Sequence, residues 1–318
     1  MKASGYAAIA AATAVSGTAA AAWGLFAFAA VRRKERIPKE KKEKKSSVPG
    51  LEPYSDELNA RIAAEKEWFD AQPKRDVSIV SHDGLTLRAY LLERQEAKGV
   101  ALLMHGYRST GSRDFALAVR FYHERGYHVL LPDQRACGRS EGKYITFGLK
   151  ERFDCLGWVR KAEELFPGLP IWLVGISMGA ATVLMASGLE LGERVRGIIA
   201  DCGYTSPWEE LNYVAKRFFR LGPFPLVYGA NLWSRALAGV DFREYSTLKA
   251  LETNRLPVLF VHGDADELVP CRMTASNYAA CAAKKDLLIS RGAGHGFAYV
   301  NSREEYERLV DRFMEENA

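Results

Sequence analysis

Cysteine is scarce in this chain and shows no pairing pattern. Cys137, Cys155, Cys202, Cys271 and Cys281 are an odd number, widely spaced, with no C-x-x-C pair. That speaks against a disulfide framework and a zinc-type ligand cluster, and it fits a reducing compartment. An excess of positive charge is also missing from most of the chain, although the formal net charge is +5. The run from Arg32 to Lys45 holds nine Lys/Arg against three Glu, and Lys2 adds one more charge. Residues 46–318 are left at about −2, so the basicity belongs to a tail and the remainder is no nucleic-acid binder by charge.

Charge of either sign is absent from Ala3 to Val31, a run of 29 residues rich in alanine that ends in Trp23, Leu25, Phe26 and Phe28. About 20 apolar residues cross a bilayer core, so the run predicts an N-terminal transmembrane helix over residues 1–31. Two other readings stay open. Ala27-Phe28-Ala29 resembles the cleavage site of a signal peptide, which would make the protein secreted. A soluble alanine-rich helix would need a polar face, and none interrupts the run. The basic linker, residues 32–50, flanks the C-terminal side. By the positive-inside rule it places residues 51–318 on the cytoplasmic side of the cell membrane as a single-pass protein. Such a cluster also attracts anionic headgroups.

Nearly half of the sequence is hydrophobic, enough for a sizeable core. Ser55 to Ala71 reads as an amphipathic helix capped by Ser55. Two strands, 77–80 and 85–91, flank the turn His82-Asp83-Gly84 as a hairpin. Apolar strands and helices then alternate: strands at 100–104, 129–131, 171–174, 195–200, 257–261 and 287–290, and helices at 113–125, 149–165, 178–189, 273–282 and 303–315. This order predicts an α/β fold, a mostly parallel sheet with helices on both faces and ligands at the C-terminal strand edges. Between about 204 and 255 no strand signal appears. A segment that long is expected to be a lid, and Phe218 and Phe219 among Lys216, Arg217 and Arg220 read as buried aromatics with basic edges, with contact at a bilayer surface as the other reading.

The chemistry gathers around Ile171-Trp172-Leu173-Val174-Gly175-Ile176-Ser177-Met178-Gly179. A strand, a tight G-x-S-x-G turn and a helix of small residues form a nucleophile elbow, which presents Ser177 at a helix N-terminus. A serine hydroxyl needs a base and the base an acid, in the chain order Ser, acid, His. Of six histidines, His82, His105, His123 and His128 precede Ser177, and His262 ends the strand that leads to the acid loop. His295, in a glycine-flanked loop after the last strand, is the expected base. Asp266 is the expected acid. Asp201 is a rival at another strand end, while Asp264 and Glu267 read as loop-capping or solvated groups. The oxyanion of an acyl-transfer intermediate would be held by the N–H groups of Met178 and Tyr107. Arg108 is expected to brace the Tyr107 loop, with holding an anionic substrate group as its other reading, and residues 133–140 are expected to support the loop.

His105-Gly106, Asp133-x-Arg135…Gly138-x-Ser140, Gly175-x-Ser177-x-Gly179, Gly263-x-x-Asp266 and Gly294-His295 occur in one order over residues 75–316. In this the chain resembles the α/β-hydrolase superfamily, near its acyl-protein thioesterase-like and serine aminopeptidase-like members. The resemblance implies an eight-stranded-type sheet with a short helical lid in a domain of residues 51–318. It also implies hydrolysis of carboxylic esters, thioesters or amides without metal or cofactor. The expected substrate is a small-molecule or lipid acyl ester or thioester, with a peptidase of the same triad as the alternative and a non-catalytic binding protein as a third reading. The sequence sets no oligomeric state.

Overall fold

Every residue of the run Gly99–Met104 is buried, yet successive side chains go to opposite layers. Val100, Leu102 and Met104 pack with Trp158, Val159, Ala180 and Val183, while Ala101 and Leu103 pack with Val119, Tyr122, Val310 and Phe313. A strand covered on both faces belongs to a parallel sheet. The computed structural model describes residues 2–33 and 55–318, residues 2–15 through their backbone alone. It places this run in an eight-stranded sheet of β1 (Arg75–Val80), β2 (Thr86–Leu92), β3 (Gly99–Met104), β4 (Tyr127–Pro132), β5 (Ile171–Ile176), β6 (Val195–Asp201), β7 (Val258–Gly263) and β8 (Lys285–Ser290). The spatial order is β1-β2-β4-β3-β5-β6-β7-β8. Strands β3 to β8 run parallel, and β2 is antiparallel to both of its neighbours.

The main helices are α1 (Lys2–Ala30), α2 (Asp56–Ala71), α3 (Val119–Glu124), α4 (Glu151–Leu165), α5 (Met178–Ala186), α6 (Pro207–Phe219), α7 (Tyr228–Leu237), α8 (Arg272–Ala280) and α9 (Arg303–Glu316). Ser55 caps α2, its Oγ accepting from Leu58 N at 3.2 Å. The helix predicted over 113–125 is instead two pieces, Gly111–Asp114 and α3. Between them the turn tightens, as in Ala118 N donating to Phe115 O at 2.9 Å. The Asp114 carboxylate leaves the helix surface to accept from Gly106 N at 2.7 Å. The segment after β6 folds as α6, α7 and the short helix Thr247–Leu251, with no strand among its described residues. Phe218 is half-buried and Phe219 exposed at the end of α6, so the pair is not the buried set the sequence predicts.

The expectation for the N-terminus needs the larger correction. Among the described residues no helix is long and apolar enough to cross a membrane. The last turns of α1 lie on the folded domain. Ala22, Phe26 and Ala30, spaced by four, are buried, with Phe26 only 1% exposed. Gly229 on α7 lets the two helices touch, since a Cβ there would come within 2.5 Å of Ala22 Cβ. Trp233 Nε1 donates to Ala19 O at 3.1 Å. Past the helix the chain pairs with residues 143–145: Arg32 N donates to Lys143 O at 2.8 Å and Ile145 N to Ala30 O at 2.8 Å. The Arg32 guanidinium donates to Ser140 O (2.6 Å) and Gly138 O (2.7 Å). The physical reason is that alanine carries little apolar surface of its own. Phe26 and the partly buried Leu25 find cover on α7 and the loop after β4, while Trp23 and Phe28 stay about half exposed. The basic run from Lys34 onward and Ser46–Gly50 lie outside the described residues.

Phe26→Ala should therefore destabilise the whole domain by roughly 3–5 kcal/mol. Urea unfolding followed by tryptophan fluorescence measures this. An unchanged midpoint would mean that α1 is only a tether.

Candidate active site

Ser177 joins β5 to α5 with φ 55° and ψ −118°, a strained conformation for a residue with a side chain. The packing around it tolerates only glycine at both flanks. A Cβ on Gly175 would lie 2.4 Å from Gly179 O, and one on Gly179 would lie 1.8 Å from Met104 O. Strands β3 and β5 and helix α5 therefore meet backbone to backbone beneath the serine. Ser177 N donates to Asp201 O at 2.8 Å, tying the turn to β6 as well.

The structure brings Ser177, His295 and Asp266 together from three loops at the C-terminal edge of the sheet. His295 Nε2 lies 2.8 Å from Ser177 Oγ, and its Nδ1 lies 2.7 Å from Asp266 Oδ2. Asp264 Oδ1 accepts from Gly292 N at 2.6 Å and holds the loop that carries the histidine. Asp266 Oδ1 accepts from Leu268 N and Val269 N, both at 2.9 Å. Oδ2 is shared with His262, whose Nε2 lies 3.1 Å away and whose Nδ1 lies 2.7 Å from Thr274 Oγ1. Burial pushes the Asp266 carboxyl up, but the hydrogen bonds with His262 and His295 outweigh it and hold the group well below the usual carboxylate range. An ionised Asp266 can only accept, so Nδ1 of His295 carries the proton and Nε2 offers its lone pair to the serine hydroxyl.

The other carboxylates that the sequence offered go elsewhere. Asp201 is buried, no hydrogen bond joins it to His295, and its Oδ1 has no partner. Glu267 pairs with Arg217 of α6 at 3.1 Å. Cys202 lies near Asp266 and His295, but burial pushes its thiol well above the usual range, and the other two groups are engaged with each other. That trio is poorly suited to hold a metal.

The two residues expected to supply the oxyanion donors, Met178 and Tyr107, line the cavity together with Ser177. Met178 is the first residue of α5, so its N–H has no acceptor within the helix. Tyr107 follows Gly106, where a Cβ would stand 3.3 Å from Ser177 Cβ. Buried His105 braces this loop. Its Nδ1 donates to Gly106 O at 2.7 Å, and its Nε2 accepts from Gln134 N at 2.8 Å. The Tyr107 hydroxyl donates to Ala29 O at 2.6 Å, and Arg108 Nη2 donates to Phe28 O (2.6 Å) and Val31 O (3.0 Å). Arg108 thus caps the C-terminal end of α1, as a cation at that pole should.

A cavity of about 150 Å³ opens beside Ser177 and Met178. A dry cavity of that size lined by Leu, Ile and Phe side chains takes a benzene-sized guest. Its walls come from α6 and α7, from Phe147 and Phe242, and from Leu25, Phe26 and Phe28 of α1. Sequence reasoning missed α1 as a wall and His262 as a second partner of Asp266. The four-residue spacing of His262 and Asp266 across the end of β7 was the one local signal for the latter.

Residues 101–312 match the family described as "Alpha/beta hydrolase family". The chain is 28% identical over 254 residues to the uncharacterized protein YqkD of Bacillus subtilis, covering 78% of this chain and 82% of that one. It is 26% identical over 205 residues to the lysophosphatidylserine lipase ABHD12 of Danio rerio, covering 61% of this chain and 50% of that one. Among solved structures, the Pyrococcus furiosus esterase Pf2001 aligns with a TM-score of 0.64 at 23% identity, over 77% of this chain and 92% of that one. That last likeness is one of fold.

Asp201 makes a prediction about pH. Burial raises its carboxyl from the ordinary 3.8 to about 6. A raised folded-state value means stability that is fully present below pH 3.8 and lost as pH climbs through 6. Asp201→Asn removes the titration, so its stability relative to wild type should improve between pH 4 and 7 by on the order of 3 kcal/mol. Urea unfolding at the two pH values checks this, and parallel behaviour of the two proteins would mean the carboxyl is not desolvated.

Proposed function

The chain belongs to the alpha/beta hydrolase family, and from that premise we propose that it is a serine hydrolase that cleaves carboxylic esters or thioesters through an acyl-enzyme on Ser177. The observation that carries this reading is the unbroken chain from Ser177 Oγ through both nitrogens of His295 to Asp266, with links of 2.8 and 2.7 Å. His295 takes the serine proton as Oγ attacks the acyl carbonyl. Asp266 holds the ring in the required tautomer and stabilises it when charged. The carbonyl oxygen becomes an oxyanion between the N–H groups of Met178 and Tyr107. His295 then returns the proton to the departing alcohol or thiol, and water releases the acid by the same steps in reverse.

The substrate class follows from the surroundings. The cavity beside the serine is almost wholly apolar, which suits the hydrocarbon part of an acyl group. Phe28 (52% exposed) and Phe219 line the cavity at its exposed edge with Arg33 stacked on Phe28, an edge suited to an amphiphile presented at a lipid surface. An alkoxide or thiolate leaves more readily than an amine, so esters and thioesters are favoured over amides.

Wild-type protein should hydrolyse p-nitrophenyl esters and react with a fluorophosphonate probe, and Ser177→Ala should do neither. Asp266→Asn should keep its fold and lose roughly 10⁴-fold in kcat. Rapid cleavage of aminoacyl amides with negligible ester turnover would make the protein a peptidase. A folded wild-type protein whose Ser177 ignores the probe would not be a serine hydrolase.

A further inference from the structure

One polar group in the apolar cavity has no part in the proposed chemistry. Glu210 lines the cavity from the first turns of α6, among Leu211, Val214, Leu268 and Val269. It is 7% exposed, and its Oε2 has no hydrogen-bond partner. The other polar side chains there are engaged. The Tyr204 hydroxyl donates to Phe147 O at 2.9 Å, the Tyr107 hydroxyl to Ala29 O, and Ser177 to His295. Helix capping does not explain Glu210 either. Ser206 Oγ accepts from Glu209 N at 3.1 Å, and the Glu209 carboxylate bonds to Thr205 Oγ1, so the cap is complete without it.

Burial pushes the Glu210 carboxyl well above its usual range, and the nearby charge of Asp266 adds to this while Arg272 opposes it. The buried site favours the neutral acid, which presents an O–H donor and a carbonyl acceptor to the cavity. Leaving such a group unpaired costs about 1–3 kcal/mol, which a polar atom of a ligand would offset. An ammonium group is the poorer guest, because it would be stripped of water into apolar walls for one partner. An oxygen function gives up far less.

We propose that Glu210 is a binding residue that recognises one oxygen function, a hydroxyl, ether or carbonyl, on an acyl chain otherwise made of hydrocarbon. This rests on the hydrolase reading for its substrate and adds the class of acyl group that the cavity selects. A purely apolar pocket would penalise every hydroxylated chain. This one should accept a hydroxyl at the position that meets Glu210.

The experiment compares p-nitrophenyl octanoate with its monohydroxylated positional isomers. With wild-type protein, at least one isomer should equal or exceed the plain ester in kcat/KM. Glu210→Gln, which can still donate and accept, should keep that ratio. Glu210→Met should shift it at least tenfold toward the plain ester, with thermal melting confirming that both variants fold. The proposal is overturned if wild type disfavours every isomer, if Glu210→Met changes all esters by one factor, or if an amino-substituted octanoate outruns both. Calorimetric binding of the same esters to Ser177→Ala protein reads the contact without turnover. Preference there in the absence of wild-type hydrolysis would sink the hydrolase reading alone, while hydrolysis without preference would sink only the role of Glu210.

Discussion

The site depends on one carboxylate that stays charged although it is buried. Asp266 sits where desolvation favours the neutral acid, and it is surrounded by donors: two backbone N–H groups and two imidazoles. Their combined effect exceeds the desolvation, and its consequence reaches beyond the group itself. A neutral Asp266 could not hold the Nδ1–H of His295 as a charged acceptor, and the ring would lose its preferred tautomer and its orientation toward Ser177. His262 makes this possible. It is buried, receives its own partner from Thr274 on α8, and so couples the acid loop to a helix of the rigid layer.

The serine side is ordered by sterics. Gly175 and Gly179 let β3, β5 and α5 approach until their backbones touch, and the turn has no room to relax. The strain at Ser177 is carried by the packing of a sheet buried on both faces, which supplies most of the apolar burial in the domain. Polar groups collect at the C-terminal edges of the parallel strands, where loops rather than core side chains determine the surroundings.

Helix α1 connects these features to the cavity. Its final carbonyls accept from Arg108 and from the Tyr107 hydroxyl, so the loop that would supply one oxyanion donor is held by residues some eighty positions earlier. The same turns wall the apolar cavity with Leu25, Phe26 and Phe28. Geometry of the reacting groups and shape of the binding space therefore share one element. The lone carboxyl of Glu210 stands out because every other surface around it is hydrocarbon or already hydrogen-bonded.

Features that depend on neighbours in the chain were legible in the amino-acid sequence. The alternation of strands and helices follows from apolar periodicity, and the elbow from two glycines at fixed spacing around Ser177. Chain order and loop position singled out His295 and put Asp266 ahead of Asp201, and the structure sets all three groups of the proposed triad in line. The destination of α1 was not legible, since an uncharged alanine-rich run looks alike whether lipid or protein covers it. The second histidine on Asp266 and the buried state of Glu210 were equally hidden. Periodicity and spacing are written into short stretches of covalent chain, so the sequence alone determines them. Burial depends on which distant surfaces remain uncovered once the sheet and its helices have packed, and only the tertiary structure decides that.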